Sequence, residues 1–240
     1  MLKIMCLTMA CLLAGLIGGA AHADQFTPAQ RAEIVGIVRD ALMRDPSILR
    51  DAINALKSDE GDQQKAQLAA SRTRLEDGGA VTGNPQGDVT IVEFFDTRCP
   101  YCRKLEPVMA KLLAQDHGVR LVYKDLPILG PPSVLGSKAL IAAHRQGGYE
   151  QLRDAIMAGP PQTTKATIKE AAEGLGLDWA QLARDMEDPA IQTQIEQNLK
   201  LAQAIGVHGT PAMLIGDTLV PGAVDLPELR EAVAAARKAR

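Results

Sequence analysis

The sequence predicts an α/β fold in which a long helical block is inserted between strands, with a separate helical extension ahead of it. Three observations carry this. An apolar run, Val89-Thr90-Ile91-Val92-Glu93-Phe94-Phe95, reads as a buried strand and leads into a helical pattern opening with Cys99-Pro100-Tyr101-Cys102. From Pro131 to about Ala204 the pattern is helical, punctuated by Gly, Pro and Asp. Two short strand patterns around Gly216-Asp217 and a last helix close the chain. Strand, helix, strand, helical block, hairpin and helix in that order give an α/β architecture.

The first 23 residues, 1–23, are expected to be a signal peptide. Lys3 is followed by an apolar run to about Ile17, then by small residues ending Ala21-His22-Ala23, an A-x-A cleavage pattern. The apolar run is shorter than the ~20 residues of a spanning helix. A lipoprotein reading through Cys11 has a poor lead-in in Thr8-Met9-Ala10. The mature chain should begin near Asp24. Loss of Lys3 takes the net charge from −3 to about −4, which gives no electrostatic case for binding nucleic acid. Apolar residues make up 46% of the chain, enough for a core.

Residues 24–78 form the extension. Thr27-Pro28-Ala29-Gln30 is a capping box with proline at the first helical position. The helix after it carries Ile34, Val35, Val38, Ala41 and Leu42 on one face. Asp45-Pro46 stops it and caps a second helix with Ile48, Leu49, Ala52, Ile53 and Leu56. A third, polar stretch from about Asp62 to Glu76 holds only Leu68 and Leu75 as large apolar residues and reads as a stalk. Two short amphipathic helices cannot bury their faces alone. They either self-associate or fold back on the main domain. Asp77-Gly78-Gly79 reads as a hinge.

The main domain spans 79–240. Asn84 to Asp88 is turn-like, and the strand Val89–Phe95 follows. The next helix should run from about Cys99 to Gln115, kinked by Pro107 and capped by Gly118. Val119–Tyr123 is the second strand. Helices are expected at Ser133–Gln146, Tyr149–Ala158, Thr164–Leu175, Asp178–Met186 and Pro189–Ala204, within a block of about 131–204. Ala212–Ile215 and Thr218–Val220 make a hairpin, and Pro227 to about Lys238 is the last helix.

Four cysteines are present, and Cys6 and Cys11 leave with the signal. The remaining pair, Cys99 and Cys102, cannot build a disulfide framework, and C-x-x-C in an exported chain points to thiol–disulfide exchange. A zinc half-site or a structural pair are the alternatives. Zinc takes about four ligands, and His117, His144 and His208 are scattered singly. No metal ligand set is therefore expected. A helix N-terminus favours the thiolate through free N–H groups and the dipole. Arg98, Arg103 and Lys104 either add to this or form a solvated basic patch. Pro100 rigidifies the turn, and Tyr101 is neutral. Glu93 on an apolar strand must be paired or used. It is either a proton relay for Cys102, coupled to Lys124, or half of a structural ion pair. His208 is closer to bystander than participant.

Glu93 to Cys102, Leu126-Pro127-Ile128-Leu129-Gly130-Pro131 and Gly209-Thr210-Pro211-Ala212 together resemble a secreted DsbA-family thioredoxin-fold protein. The helical block matches that family's inserted domain. Phe26-Thr27-Pro28-Ala29-Gln30 with Asp45-Pro46 resembles the ScsC-like subgroup, linked to suppression of copper sensitivity. The resemblance covers almost the whole mature chain.

It implies a thioredoxin fold in a Gram-negative periplasm, with Cys99 as attacking thiol and Cys102 as resolving thiol. The working group is the redox-active Cys99–Cys102 disulfide, with no other cofactor. Thr210-Pro211 matches the family's cis-proline loop, a substrate-facing edge that pairs like an added strand. Strongly oxidising members have histidine where Tyr101 stands, so a pure oxidant is disfavoured. The resemblance implies protein substrates bearing disulfides or thiols, and a homotrimer held by the extension. A disulfide isomerase or reductase kept reduced by a DsbD/ScsB-like membrane donor is favoured. A dithiol oxidase served by a DsbB-like partner stays open, as does copper(I) sequestration by the soft thiolate pair.

Overall fold

The alternation of inward and outward side chains along a strand lets one strand feed two cores, and the central strand here does so. The computed structural model describes residues 26–160 and 162–239; the expected signal segment lies outside them. Strands β1 (Ala80–Gly83), β2 (Val89–Phe95), β3 (Val119–Asp125), β4 (Ala212–Ile215) and β5 (Thr218–Pro221) form one sheet in the order β1-β3-β2-β4-β5. The β2–β3 pair is parallel and the others antiparallel. Val89, Ile91 and Phe95 of β2 join a core with Leu121 and Tyr123 of β3 and Met213 and Ile215 of β4. The intervening Val92 and Phe94 join a second core with Val122 and Leu214.

Helix α3 (Pro100–Gln115) links β2 to β3, and α9 (Leu226–Lys238) follows β5. Both pack on the first core through Leu105, Met109, Leu112, Leu229 and Val233. The inserted block is α4 (Pro131–His144), α5 (Tyr149–Ala158), α6 (Lys165–Gly174), α7 (Trp179–Asp185) and α8 (Pro189–Ala204). Thr164, Asp178 and Asp188 cap α6, α7 and α8 with side-chain oxygens, which explains why these helices start where the sequence places them.

Three expectations change. Strand β1 was not foreseen; it pairs with β3, Ala80 opposite Tyr123 and Gly83 opposite Arg120. Gly118 is not the cap of α3. Asp116 holds that position, its N–H on the Leu112 carbonyl, and its carboxylate accepts from Gly118 N at 3.0 Å. A short side chain at the helix end supplies what a left-handed glycine otherwise would. Pro107 lies inside α3, which is a single element as expected.

The third change concerns the extension. Helix α1 (Pro28–Arg44) has the expected capping box, with Gln30 N donating to Thr27 Oγ1 at 3.3 Å and Thr27 N to Gln30 Oε1 at 2.9 Å. Helix α2 (Ser47–Glu76) is continuous, so the second helix and the polar stretch are one element. The chain divides into two compact units after Ser58. In the first, none of α1 is buried, and Ile34, Val35, Ile37, Val38, Ile48, Leu49, Ile53 and Leu56 are exposed. In the second, the polar half of α2 is no free stalk. Leu68 and Leu75 enter the second core beside Leu201 and Ala202 of α8 and Ile205 just after it. Gln64 Nε2 donates to the Ile205 carbonyl at 3.1 Å, and Arg72 pairs with Asp217.

Candidate active site

Strand β2 ends one residue before a buried carboxylate that organises the site. Asp96 Oδ1 accepts from Arg98 N at 2.8 Å, and Oδ2 accepts from Ile128 N and Leu129 N at 2.9 and 3.0 Å. One side chain thus ties the dithiol loop to the loop after β3. The Asp96 carbonyl accepts from Cys99 N at 3.0 Å. Cys99 is the N-cap of α3, in extended conformation, and Pro100 occupies the first helical position, where its missing N–H has no partner to lose.

Both cysteines are free thiols. Cys99 retains a little surface, whereas Cys102 has none. Burial pushes the Cys102 thiol far up, and the neighbouring charges of Cys99 and Glu93 add to this. The Cys99 thiol donates to the Thr210 carbonyl at 3.1 Å, and the Thr210–Pro211 peptide bond is cis. The loop before β4 thus lies against the dithiol. Tyr101 is 60% exposed, with the Lys104 ammonium 5.2 Å from its ring centre.

Two of the three flanking cations are committed to structure. Arg98 donates to the Leu129 carbonyl at 2.9 Å. Arg103 donates to the Met157 and Gly159 carbonyls at 2.6 and 2.7 Å, joining α3 to the end of α5. His208 is exposed. Among the described residues no group of three or more His, Cys, Asp or Glu is placed to hold a metal ion.

Glu93 is wholly buried, and neither carboxylate oxygen has a hydrogen-bonding partner among the described residues. Burial raises its pKa to about 7, against the pull of Arg153 and with a push from Glu106. The expected coupling to Lys124 is not formed. Parallel register sets Glu93 opposite Tyr123 and Lys124 opposite Phe94, so the two lie on opposite faces of the sheet. Lys124 Nζ instead donates to the Arg74 carbonyl at 2.8 Å and to that of Asp77, at the end of α2. Burial lowers its pKa to about 8.

The cation on the Glu93 side is Arg153, which the sequence reading passed over. It is 1% exposed, with its guanidinium 3.9 Å from the Tyr123 ring centre and 5.0 Å from that of Phe95, and it pairs with Glu106. A signal was present. The buried positions of α5 are Tyr149, Leu152, Arg153, Ile156 and Met157, so the arginine stands within an apolar helical stripe. Asp125 was also missed. It closes β3 buried, accepts from Tyr149 Oη at 2.8 Å, and burial raises its pKa to about 7.

Comparison with known proteins agrees with this geometry. A family model described as DSBA-like thioredoxin domain matches residues 90–234, and one described as copper resistance protein ScsC N-terminal domain matches residues 30–67. A thioredoxin-like oxidoreductase from Silicibacter pomeroyi is similar at 43% identity and a TM-score of 0.68, covering 70% of this chain and 99% of that one. A linker-deletion mutant of Proteus mirabilis ScsC is similar at 28% identity and a TM-score of 0.69, covering 93% and 100%. A Na(+)/H(+) antiporter NhaA of Salinispora tropica is 30% identical over 158 residues, which are 65% of this chain and 24% of that protein. The chain thus spans about a quarter of that curated relative's length. The chain belongs to the DSBA-like thioredoxin domain family, with an ScsC-type N-terminal domain ahead of the catalytic fold.

Proposed function

We propose that this protein is an exported, periplasmic thiol–disulfide oxidoreductase that works as a disulfide isomerase or reductase. One observation carries the reading: a helix-capping thiol, Cys99, touches the Thr210 carbonyl beside a cis-proline while the second thiol, Cys102, is sealed behind it. Cys99 as thiolate attacks a substrate disulfide, one substrate sulfur leaves as thiolate, and a mixed disulfide forms. The Thr210–Pro211 edge pairs with substrate backbone. Cys102 then gives its proton to Glu93 and attacks Cys99 Sγ, forming the Cys99–Cys102 disulfide and releasing the second substrate thiolate. The substrate gains two electrons and the dithiol loses two. In isomerisation the substrate's own thiol displaces Cys99 instead, with no net electron transfer.

The exposed apolar residues of the extension support self-association, as a homotrimer that holds several dithiols around a shared space. Such shielding favours a reducing membrane partner over an oxidising one. The test is refolding of a scrambled disulfide substrate by the chain from Asp24 and by a chain from Asp59. Lost isomerase with retained reductase activity on truncation supports the reading, and a monomer by light scattering in the longer chain refutes the assembly. Tight stoichiometric copper(I) binding with no action on scrambled disulfides would identify a sequestering protein instead.

A further inference from the structure

Proton transfer at Glu93 needs a group that decides when the carboxylate is charged. The groups facing it are Cys102 and Glu106 from α3, Tyr123 from β3 and Arg153 from α5. Arg153 supplies the positive charge in this set. It comes from the inserted helical block, not from the thioredoxin core that carries the dithiol.

We propose that Arg153 is a positioning residue for the redox step: its buried guanidinium, stacked on Tyr123 and Phe95 and shared with Glu106, sets the charge state of Glu93, so that the helical block controls proton transfer from Cys102. The proposal rests on the Glu93 relay described above. Three features of the geometry support it. The guanidinium is held over both rings of the strand face that carries Glu93, Phe95 on β2 and Tyr123 on β3. Cation–ring stacking in a desolvated site fixes its place without consuming its charge. Its two ion-pair partners, Glu106 and Asp154, border a cavity of about 430 Å³ between α3 and α5, lined also by Arg103 and Glu150. Finally, Glu93 has no hydrogen bond to hold its charge, so burial pushes it toward the neutral form and the opposing pull of Arg153 and push of Glu106 adjust that balance.

The roles divide cleanly. Glu93 accepts the Cys102 proton when the Cys99–Cys102 bond forms and returns it when that bond is reduced. Arg153 moves no proton and touches no substrate. It keeps the carboxylate available as a base near neutral pH, against burial and against Glu106.

The experiment measures the resolution step by rapid mixing: release of a thiol from a mixed disulfide preformed at Cys99, as a function of pH, in the full mature chain. Arg153→Met removes the charge and keeps the apolar stem. It is expected to move the pH midpoint of resolution upward by about one unit, a roughly tenfold slowing below the midpoint, while the attack of Cys99 on a small disulfide is unchanged. Arg153→Lys should restore most of the profile. An infrared titration of the Glu93 carboxyl should follow the same midpoints. If Arg153→Met does not fold, Arg153→Met with Glu106→Gln removes the pair together, and a smaller upward shift is expected, because the push of Glu106 is lost along with the larger pull of Arg153. A profile that matches the parent in a folded variant overturns the proposal. Glu93→Gln separates the two levels. If it abolishes the pH dependence while Arg153→Met leaves it in place, only the role of Arg153 is wrong; if it changes nothing, the relay itself is wrong.

Discussion

Replacing Glu93 with glutamine should change stability in a way that depends on pH, and the sign follows from burial. The native carboxyl titrates at about 7 against 4.5 for the ordinary group. At 1.36 kcal/mol per pH unit, that difference is worth about 3 kcal/mol. Below about pH 4.5 both folded and unfolded chains are protonated at this site and Glu93 costs nothing by ionising. Between about 4.5 and 7 the unfolded chain has released the proton and the native one has kept it, so stability falls as pH rises. Above about 7 the native carboxylate is charged as well, and the loss levels off. Glu93→Gln does not titrate. Its stability relative to the parent should therefore rise by up to about 3 kcal/mol between pH 4.5 and 7 and stay level above. Asp125, whose native pKa is also raised to about 7, titrates in both proteins and cancels in the comparison. The assay is urea unfolding of reduced protein across this pH range, followed by the single tryptophan, Trp179. Any constant offset reflects how the buried amide is accommodated and is not at issue. A difference between variant and parent that stays flat with pH would refute the reasoning.

Two further outcomes are expected. A chain starting at Gly79 loses Leu68 and Leu75 from the second core and both carbonyls that hold Lys124. Two buried leucines at about 2–5 kcal/mol each amount to much of a domain's stability of about 5–15 kcal/mol, so this chain should unfold at far lower urea than one starting at Asp59; equal midpoints would show that α2 contributes nothing. Asp96→Ala leaves the amides of Arg98, Ile128 and Leu129 without their acceptor. A loss of about 3 kcal/mol and faster amide exchange at Ile128 and Leu129 should be seen by hydrogen-exchange mass spectrometry.

Much of this protein was legible along the chain. The capping box at Thr27, the caps at Thr164, Asp178 and Asp188, and the bounds of α5 and α8 all follow from local chemistry that neighbouring residues decide. Strand β1 was not legible. Four residues with one buried alanine carry little pattern, and their extended form comes from pairing with β3. The unity of α2 was hidden for the opposite reason. Its second half is polar on most faces, and the two leucines that dock it are too sparse to read as a buried stripe without the partners on α8 and the sheet.

The residues alone determined the dithiol, its place at a helix start and the apolar run that forms the buried strand β2, while the proline loop beside the dithiol was implied by the family resemblance. The first three are matters of spacing, and spacing is written in the chain. Only the tertiary structure decided which charge Glu93 meets. Lys124 is nearer in the sheet's own sequence, but one residue of offset sends it to the other face, where α2 ends. Arg153 lies far along the chain and arrives through the packing of an inserted helix. Electrostatic partnership depends on distance and burial in three dimensions, and no periodicity along one strand reports either.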